Sequence, residues 1–224
     1  MVGDPHGCYD EFHELLKKFE WKMSADILVV TGDLVDRGPK IYELVNFVRY
    51  IDNVYTVEGN HEEKIKRALW GRPVKLGHAH RMTLDAFAWE IGDARRCGEL
   101  IKWFEGLPHV IRVTDDIYVV HAGMHPDYDV EAQGFQDCIR IRTVEDDGHV
   151  VPWWEEWKGP TILFGHNVQP ECRVAHNAYA LDGGCVYGGE LRGIEVINGV
   201  VGRVLSVAAK QVYYDRRRIA YDEA

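Results

Sequence analysis

Four apolar stretches in this 224-residue chain each stop at a small polar block built around Asp, Asn or His. Ile27-Leu28-Val29-Val30 runs into Thr31-Gly32-Asp33, and Val54 to Val57 ends at Glu58-Gly59-Asn60-His61. Ile117 to Val120 meets His121-Ala122-Gly123, and Thr161 to Phe164 meets Gly165-His166. Short runs rich in β-branched residues, closed by glycine, read as buried strands. In open α/β sheets the carboxyl ends of strands share one edge, and ligands bind there. A fifth block, Gly3-Asp4-Pro5-His6-Gly7, has the same character. Only Met1, Val2 and Gly3 precede its aspartate, where a strand normally takes about five residues. The chain is therefore expected to begin later than its relatives, or to feed this block from a strand stub. Either way, five distant stretches should meet in one place.

The spacing between the strands predicts helices. Phe12, Leu15, Leu16 and Phe19 repeat at helical intervals within Tyr9 to Glu20, and Ile41, Leu44, Val45 and Val48 do so after Pro39, which suits a first helical position. Further helical stretches run around Glu62 to Trp70, Thr83 to Ile91 and Gly98 to Glu105, and the glycine-studded segment 178–202 reads as hairpins. Strands alternating with helices in the first half, and strands dominating the second, imply an α/β (α+β) fold. A single domain over residues 1–224 is expected, with the acidic and then Trp-rich segment 144–157 as a cap or surface loop.

Composition narrows the function classes. The net charge is −10, from 26 basic and 36 acidic residues, which opposes binding to nucleic-acid polymers. The five cysteines are scattered and form no Cys-x-x-Cys pair, a pattern of buried thiols in a reducing cytoplasm rather than of a disulfide framework or zinc finger. No apolar run is long enough to span a bilayer.

The five blocks hold Asp, Asn and His and no Cys, a hard donor set for Mn, Fe, Zn or Mg. Asp4 and His6 can turn toward one ion, while Asn60, His121 and His166 can surround a second. Asp33, with two oxygens, can bridge both. Two ions roughly 3.5–4 Å apart activate a water and clamp a phosphate.

In order, the blocks GDPHG, GDLVDRG, GNHE, HAG and GH resemble the calcineurin-like metallophosphoesterases, and the Arg-Gly after Asp36 is similar to the Ser/Thr protein phosphatase branch. FGH followed by YALDGGCVYGGEL resembles the bacterial and viral group that includes symmetrical diadenosine tetraphosphate hydrolases and lambda-type phosphatases. The resemblance covers almost the whole chain. It implies a β-sandwich of mixed sheets flanked by helices, with the site at the strand carboxyl ends. It also implies two divalent metal ions, Mn foremost, and direct attack on phosphorus by a metal-held hydroxide. Asp4, His6 and Asp33 match the ligands of one ion, and Asp33, Asn60, His121 and His166 those of the other. His61 matches the general acid, Asp36 the carboxylate that orients it, and Arg37 a phosphate-binding arginine. Arg142, preferred over Arg140, matches the second such arginine, and Tyr187 is placed in the pocket lining.

Asn167 follows Gly165-His166 where nuclease and cyclic-phosphodiesterase branches continue Gly-His-x-His. Gly183 stands where some relatives carry Thr. Asp36 is present where some dinucleotide hydrolases lack the acid, which tilts the expectation toward phosphomonoesters. The expected activity is thus hydrolysis of phosphoproteins or small phosphorylated compounds, with symmetrical dinucleoside tetraphosphate hydrolysis as the alternative. Glu62 and Glu63 read as charges suited to a helix's first turn. Arg216-Arg217-Arg218 reads as a solvated terminal stretch, and His78, His80, His109, His125, His149 and His176 as ordinary histidines. Trp153, Trp154 and Trp157 read as core or lid packing.

Overall fold

Side chains that alternate between the two faces of each strand sort the buried apolar residues into three layers. The computed structural model describes residues 1–218. The strands are β1 (Leu28–Val30), β2 (Val54–Thr56), β3 (Val110–Arg112), β4 (Ile117–Val120), β5 (Thr143–Asp146), β6 (His149–Pro152), β7 (Thr161–Phe164), β8 (Arg173–Ala175), β9 (Ala178–Ala180), β10 (Asp182–Gly183), β11 (Glu190–Ile197) and β12 (Val200–Ala208). The helices are α1 (Tyr9–Lys18), α2 (Ile41–Tyr50), α3 (Asn60–Leu69), α4 (His78–Ala86), α5 (Ala88–Ile91), α6 (Ala94–Glu105), α7 (Phe135–Arg140) and α8 (Trp153–Glu156).

One sheet has the order β3-β4-β7-β9-β8, with β4, β7 and β9 parallel. The other contains parallel β1 and β2 and antiparallel β10, β11 and β12. Val2 joins those two groups, forming a parallel bridge to Val30 and an antiparallel one to Gly193. The Val2 amide donates to Val29 O (2.9 Å), and its carbonyl accepts from Thr31 N (3.0 Å). The block at Asp4 is therefore fed by a strand stub, and the stub lies between β1 and β11.

Val29, Val57, Ile117, Val119, Leu163, Leu181 and Ile194 form the layer between the sheets. Their strand neighbours point the other way, as a period of two requires. Leu28, Val30, Leu191 and Val207 pack against Phe12, Leu15, Leu44 and Val45 of α1 and α2. Val120, Ile162, Phe164 and Ala180 pack against Ile139 of α7 and Trp153 and Trp154 of α8. The result is the expected sandwich of mixed sheets with helices outside.

Several boundaries differ from the sequence reading, each for a local reason. Ile27 is 67% exposed and lies outside β1. Helix α2 starts at Ile41 rather than Pro39, because Lys40 N is tied to Gly7 O (3.0 Å). The stretch 83–91 is two helices broken at the buried Phe87. Helix α6 starts early because Asp93 caps it, accepting from Arg96 N. Segment 144–157 is mostly a hairpin, exposed from Glu145 to Val150, followed by α8. Its tryptophans are buried, and Trp153 Nε1 donates to Ala122 O (3.2 Å). Asn198 and Gly199, both at positive φ, turn β11 into β12. Among the described residues no helix is long and apolar enough to cross a membrane.

Candidate active site

Parallel pairing of β1 with β2 and of β4 with β7 leaves Asp33, Asn60, His121 and His166 just beyond strand carboxyl ends. The structure brings every residue of the expected site together there. Asp33 is central. Its Oδ2 lies 3.4 Å from His6 Nε2, and its Oδ1 lies 3.5 Å from His121 Nε2. Asn60 Oδ1 sits 2.9 Å from the same His121 nitrogen. Asp4 accepts from Thr31 Oγ1 (2.5 Å) and from the His166 amide (2.6 Å).

The imidazoles are aimed. His6 Nδ1 donates to Val35 O (2.7 Å) and His121 Nδ1 to Thr31 O (2.8 Å), which leaves both Nε2 atoms facing the cluster. Backbone carbonyls behind histidine ligands fix ring orientation in metal sites in this way. Donor atoms of His6, Asp33 and His61 lie within 4.8 Å of one another, as do those of Asp33, His121 and His166.

Electrostatics fit a cation. Burial, followed by the charges of Asp182 and Asp33, raises Asp4 well above the carboxylate range. Burial pushes Asp33 up to about 8 and raises Asp182 as well. Burial likewise brings His121 down to about 4 and pushes His6 and His166 well below the usual value. Neutral imidazoles beside carboxylates that repel one another form a donor set that divalent ions can relieve.

Strain concentrates here. Of nine non-glycine residues at positive φ among the described residues, five are His6, Asp33, Asp36, Arg37 and His166, and such backbone persists only where its surroundings enforce it. Gly165 is also forced, since a Cβ there would lie 1.8 Å from Asp4 Oδ1.

Asp36 Oδ2 is 2.5 Å from His61 Nδ1, so His61 turns Nε2 toward Asp33 Oδ2, 3.9 Å away. Arg37 Nη1 is 2.9 Å from His6 Nε2, and Arg142 Nε is 3.1 Å from His166 Nε2. Arg140 turns instead to Glu63 (2.9 Å). Tyr187 lies beside Arg37, whose Cζ is 5.5 Å from the ring centroid.

Four supporting groups escaped the sequence reading. Glu62 does more than charge a helix terminus: its carboxylate accepts the backbone N–H groups of Asp33 (2.8 Å), Leu34 (2.8 Å), Val35 (3.3 Å) and Gly59 (3.0 Å). Glycine at the cap and glutamate three residues later was the available signal. His80 is no ordinary histidine, since it stacks on His61 (5.7 Å between centroids) and lies 3.5 Å from Asp36 Oδ2. Thr83, one turn along α4, hydrogen-bonds Asp36. Arg216 is not merely solvated but lies over the Tyr187 ring.

Residues 1–200 match the Calcineurin-like phosphoesterase family. The chain belongs to that family. This phosphoesterase is accordingly a hydrolase, and its family uses divalent metal ions. It is 33% identical over 216 residues to the asymmetrical bis(5'-nucleosyl)-tetraphosphatase PrpE of Bacillus velezensis, covering 86% of each chain. It is 28% identical over 256 residues to the symmetrical bis(5'-nucleosyl)-tetraphosphatase of Nitrosococcus oceani, covering 85% of this chain and 90% of that one. A crystal structure named as a candidate diadenosine tetraphosphatase superposes with a TM-score of 0.74 at 28% identity, over 93% of this phosphoesterase and 91% of its counterpart. A Saccharomyces cerevisiae protein serine/threonine phosphatase shares the fold, with a TM-score of 0.62 at 16% identity, over 96% and 80% of the chains.

Proposed function

We propose that this phosphoesterase hydrolyses dinucleoside tetraphosphates with two divalent metal ions, Mn foremost. The observation that carries this reading is the likeness, at 33% identity over 86% of both chains, to a tetraphosphatase. It favours the alternative expected from the sequence over phosphomonoester or phosphoprotein hydrolysis. The presence of Asp36 tilted the sequence reading toward monoesters, but an acid that orients His61 serves any leaving oxygen. Asymmetrical cleavage is the reading the likeness to PrpE supports, where the alternative weighed from the sequence was symmetrical cleavage.

In this reading Asp4, His6 and Asp33 would hold one ion, and Asp33, Asn60, His121 and His166 the other. Bound there, the ions would supply the Lewis acidity that activates water and offsets charge on phosphorus. Arg37 and Arg142 approach His6 and His166, histidines assigned to different ions. That placement supports a phosphate gripped from both sides by charge-assisted hydrogen bonds. His61, its Nδ1 held by Asp36, presents Nε2 to donate a proton to the leaving oxygen. The exposed hairpin directly after Arg142 supports the expected cap beside the substrate path. The described residues act as one catalytic domain. Five free cysteines support a reducing compartment, the cytoplasm.

The test is hydrolysis, with Mn present, of diadenosine tetraphosphate, a phosphoserine peptide and p-nitrophenyl phosphate, with chromatography of the nucleotide products. Diadenosine tetraphosphate should have the highest kcat/KM and give ATP and AMP. Preference for the phosphopeptide would overturn the reading, and a product of ADP alone would restore the symmetrical alternative.

A further inference from the structure

Two guanidinium groups share the Tyr187 ring, with the Cζ of Arg37 5.5 Å and that of Arg216 4.9 Å from its centroid. Arg37 is only 8% exposed, and its Nε is buried with no hydrogen-bond partner among the described residues. One of these cations lies against His6, and the other, exposed to solvent, shares the same ring.

Arg216 reaches this position because the chain after β12 is pinned. The amides of Tyr213 and Tyr214 both donate to Val186 O (3.0 and 2.9 Å), and Tyr214 is buried. Asp215 then accepts from the Arg217 amide (3.0 Å) and pairs with the Arg217 guanidinium. This neutralises Arg217 but not Arg216, which has no carboxylate within ion-pairing distance among the described residues. Gly184, at φ +71°, clears the way, since a Cβ there would lie 3.2 Å from Arg216 Nη2. A positive charge held in place, with no ion-pair partner among the described residues, and sharing a ring with the phosphate-facing Arg37 suits a second anionic group on the same ligand.

We propose that Arg216, oriented by Tyr187, is a subsite for the phosphates of a polyphosphate chain that lie beyond the scissile one. This rests on the dinucleoside tetraphosphate reading and deepens it, by naming what separates a polyphosphate from a monoester. An arginine fork donates N–H bonds to two phosphate oxygens at once, and the ring holds the guanidinium through a cation–π contact. Binding energy from phosphates remote from the reaction is available only to substrates that possess them. Orthophosphate and a simple monoester carry no phosphate beyond the one at the reacting centre, so they should gain nothing from Arg216.

The experiment compares wild type, Arg216→Ala, Arg216→Lys and Arg218→Ala in Mn-containing buffer. The first readout is kcat/KM for diadenosine tetraphosphate divided by kcat/KM for p-nitrophenyl phosphate. The second is inhibition of p-nitrophenyl phosphate hydrolysis by inorganic tripolyphosphate relative to orthophosphate, which does not depend on the dinucleotide being a substrate. Arg216→Ala should lower the first ratio about tenfold, mostly through KM, and weaken tripolyphosphate about tenfold relative to orthophosphate, the size of one charge-assisted hydrogen bond. Arg216→Lys should recover part of both, and Arg218→Ala should change neither ratio. Unchanged ratios in Arg216→Ala, or an equal fall in Arg218→Ala, would overturn the subsite. A wild type that prefers the monoester to the dinucleotide would overturn the functional reading, while the tripolyphosphate arm would still decide the subsite.

Discussion

The carboxylate of Glu62 accepts the backbone N–H of Asp33 at 2.8 Å, and with three further N–H contacts it holds the loop that carries the central aspartate. An amide in its place has one acceptor oxygen rather than two and adds unwanted N–H donors. Glu62→Gln should remain folded yet lose about 10- to 100-fold in metal affinity, the usual effect of disturbing a ligand's support. Mn titration followed by activity checks this. Unchanged affinity would make Glu62 a helix-capping residue and nothing more.

The pH dependence of stability has a definite sign. Asp33 is pushed up to about 8, so in metal-stripped protein it stays protonated after the unfolded chain has ionised. That favours the unfolded state progressively as pH rises from about 4 to 8. His121, brought down to about 4, acts in the other direction, because unfolded imidazole takes up protons below about 6.5. Between pH 4 and 6.5 the two oppose each other; above 6.5 Glu62, which burial also raises to about 8, joins Asp33, and together they outweigh the single N-terminal amine, which burial lowers to about 5 and which acts in the histidine's direction. Chelator-treated protein should therefore lose thermal stability between pH 6.5 and 8. Saturating Mn should raise Tm more at pH 8 than at pH 6.5, since fewer protons compete for the ligands. Melting curves with and without Mn check both statements.

His61 and Asp36 should reveal themselves through the leaving group. General acid catalysis contributes typically 10²–10⁴-fold and matters most when the departing oxygen is strongly basic. His61→Ala should slow alkyl or phosphoserine hydrolysis far more than p-nitrophenyl phosphate hydrolysis, whose anion is already stable. The dinucleotide should fall between them, because its leaving group is itself a phosphate. Asp36→Asn should show a weaker version of the same order, since Asp36 acts only through His61. Equal slowing of all three substrates at full metal occupancy would reassign His61 to phosphate binding.

The strand-end blocks were legible because each follows an apolar run whose direction fixes where the next side chain points. Asp33, Asn60, His121 and His166 needed no long-range information beyond that. Arg142 could be preferred to Arg140 by resemblance alone, and the structure adds that Arg140 is taken up by Glu63. The supporting groups were hidden for the opposite reason. His80 reaches His61 from a helix whose start no periodicity marked, and Arg216 reaches Tyr187 through a turn pinned by backbone bonds to Val186. Segment 144–157 read as one acidic, Trp-rich loop because exposed hairpin residues and buried Trp153 lie side by side in sequence. Only tertiary contacts separate them.

In the proposed reading Asp33 would be the shared ligand of two divalent ions needed to cleave a dinucleoside tetraphosphate. The most direct measurement is elemental analysis of wild type and Asp33→Asn, taken together with diadenosine tetraphosphate turnover by the same samples. Wild type should hold two metal ions per chain. Asp33→Asn should hold fewer than one and lose turnover at least a hundredfold, while its circular dichroism stays native. Two ions per chain and normal turnover in Asp33→Asn would contradict the account.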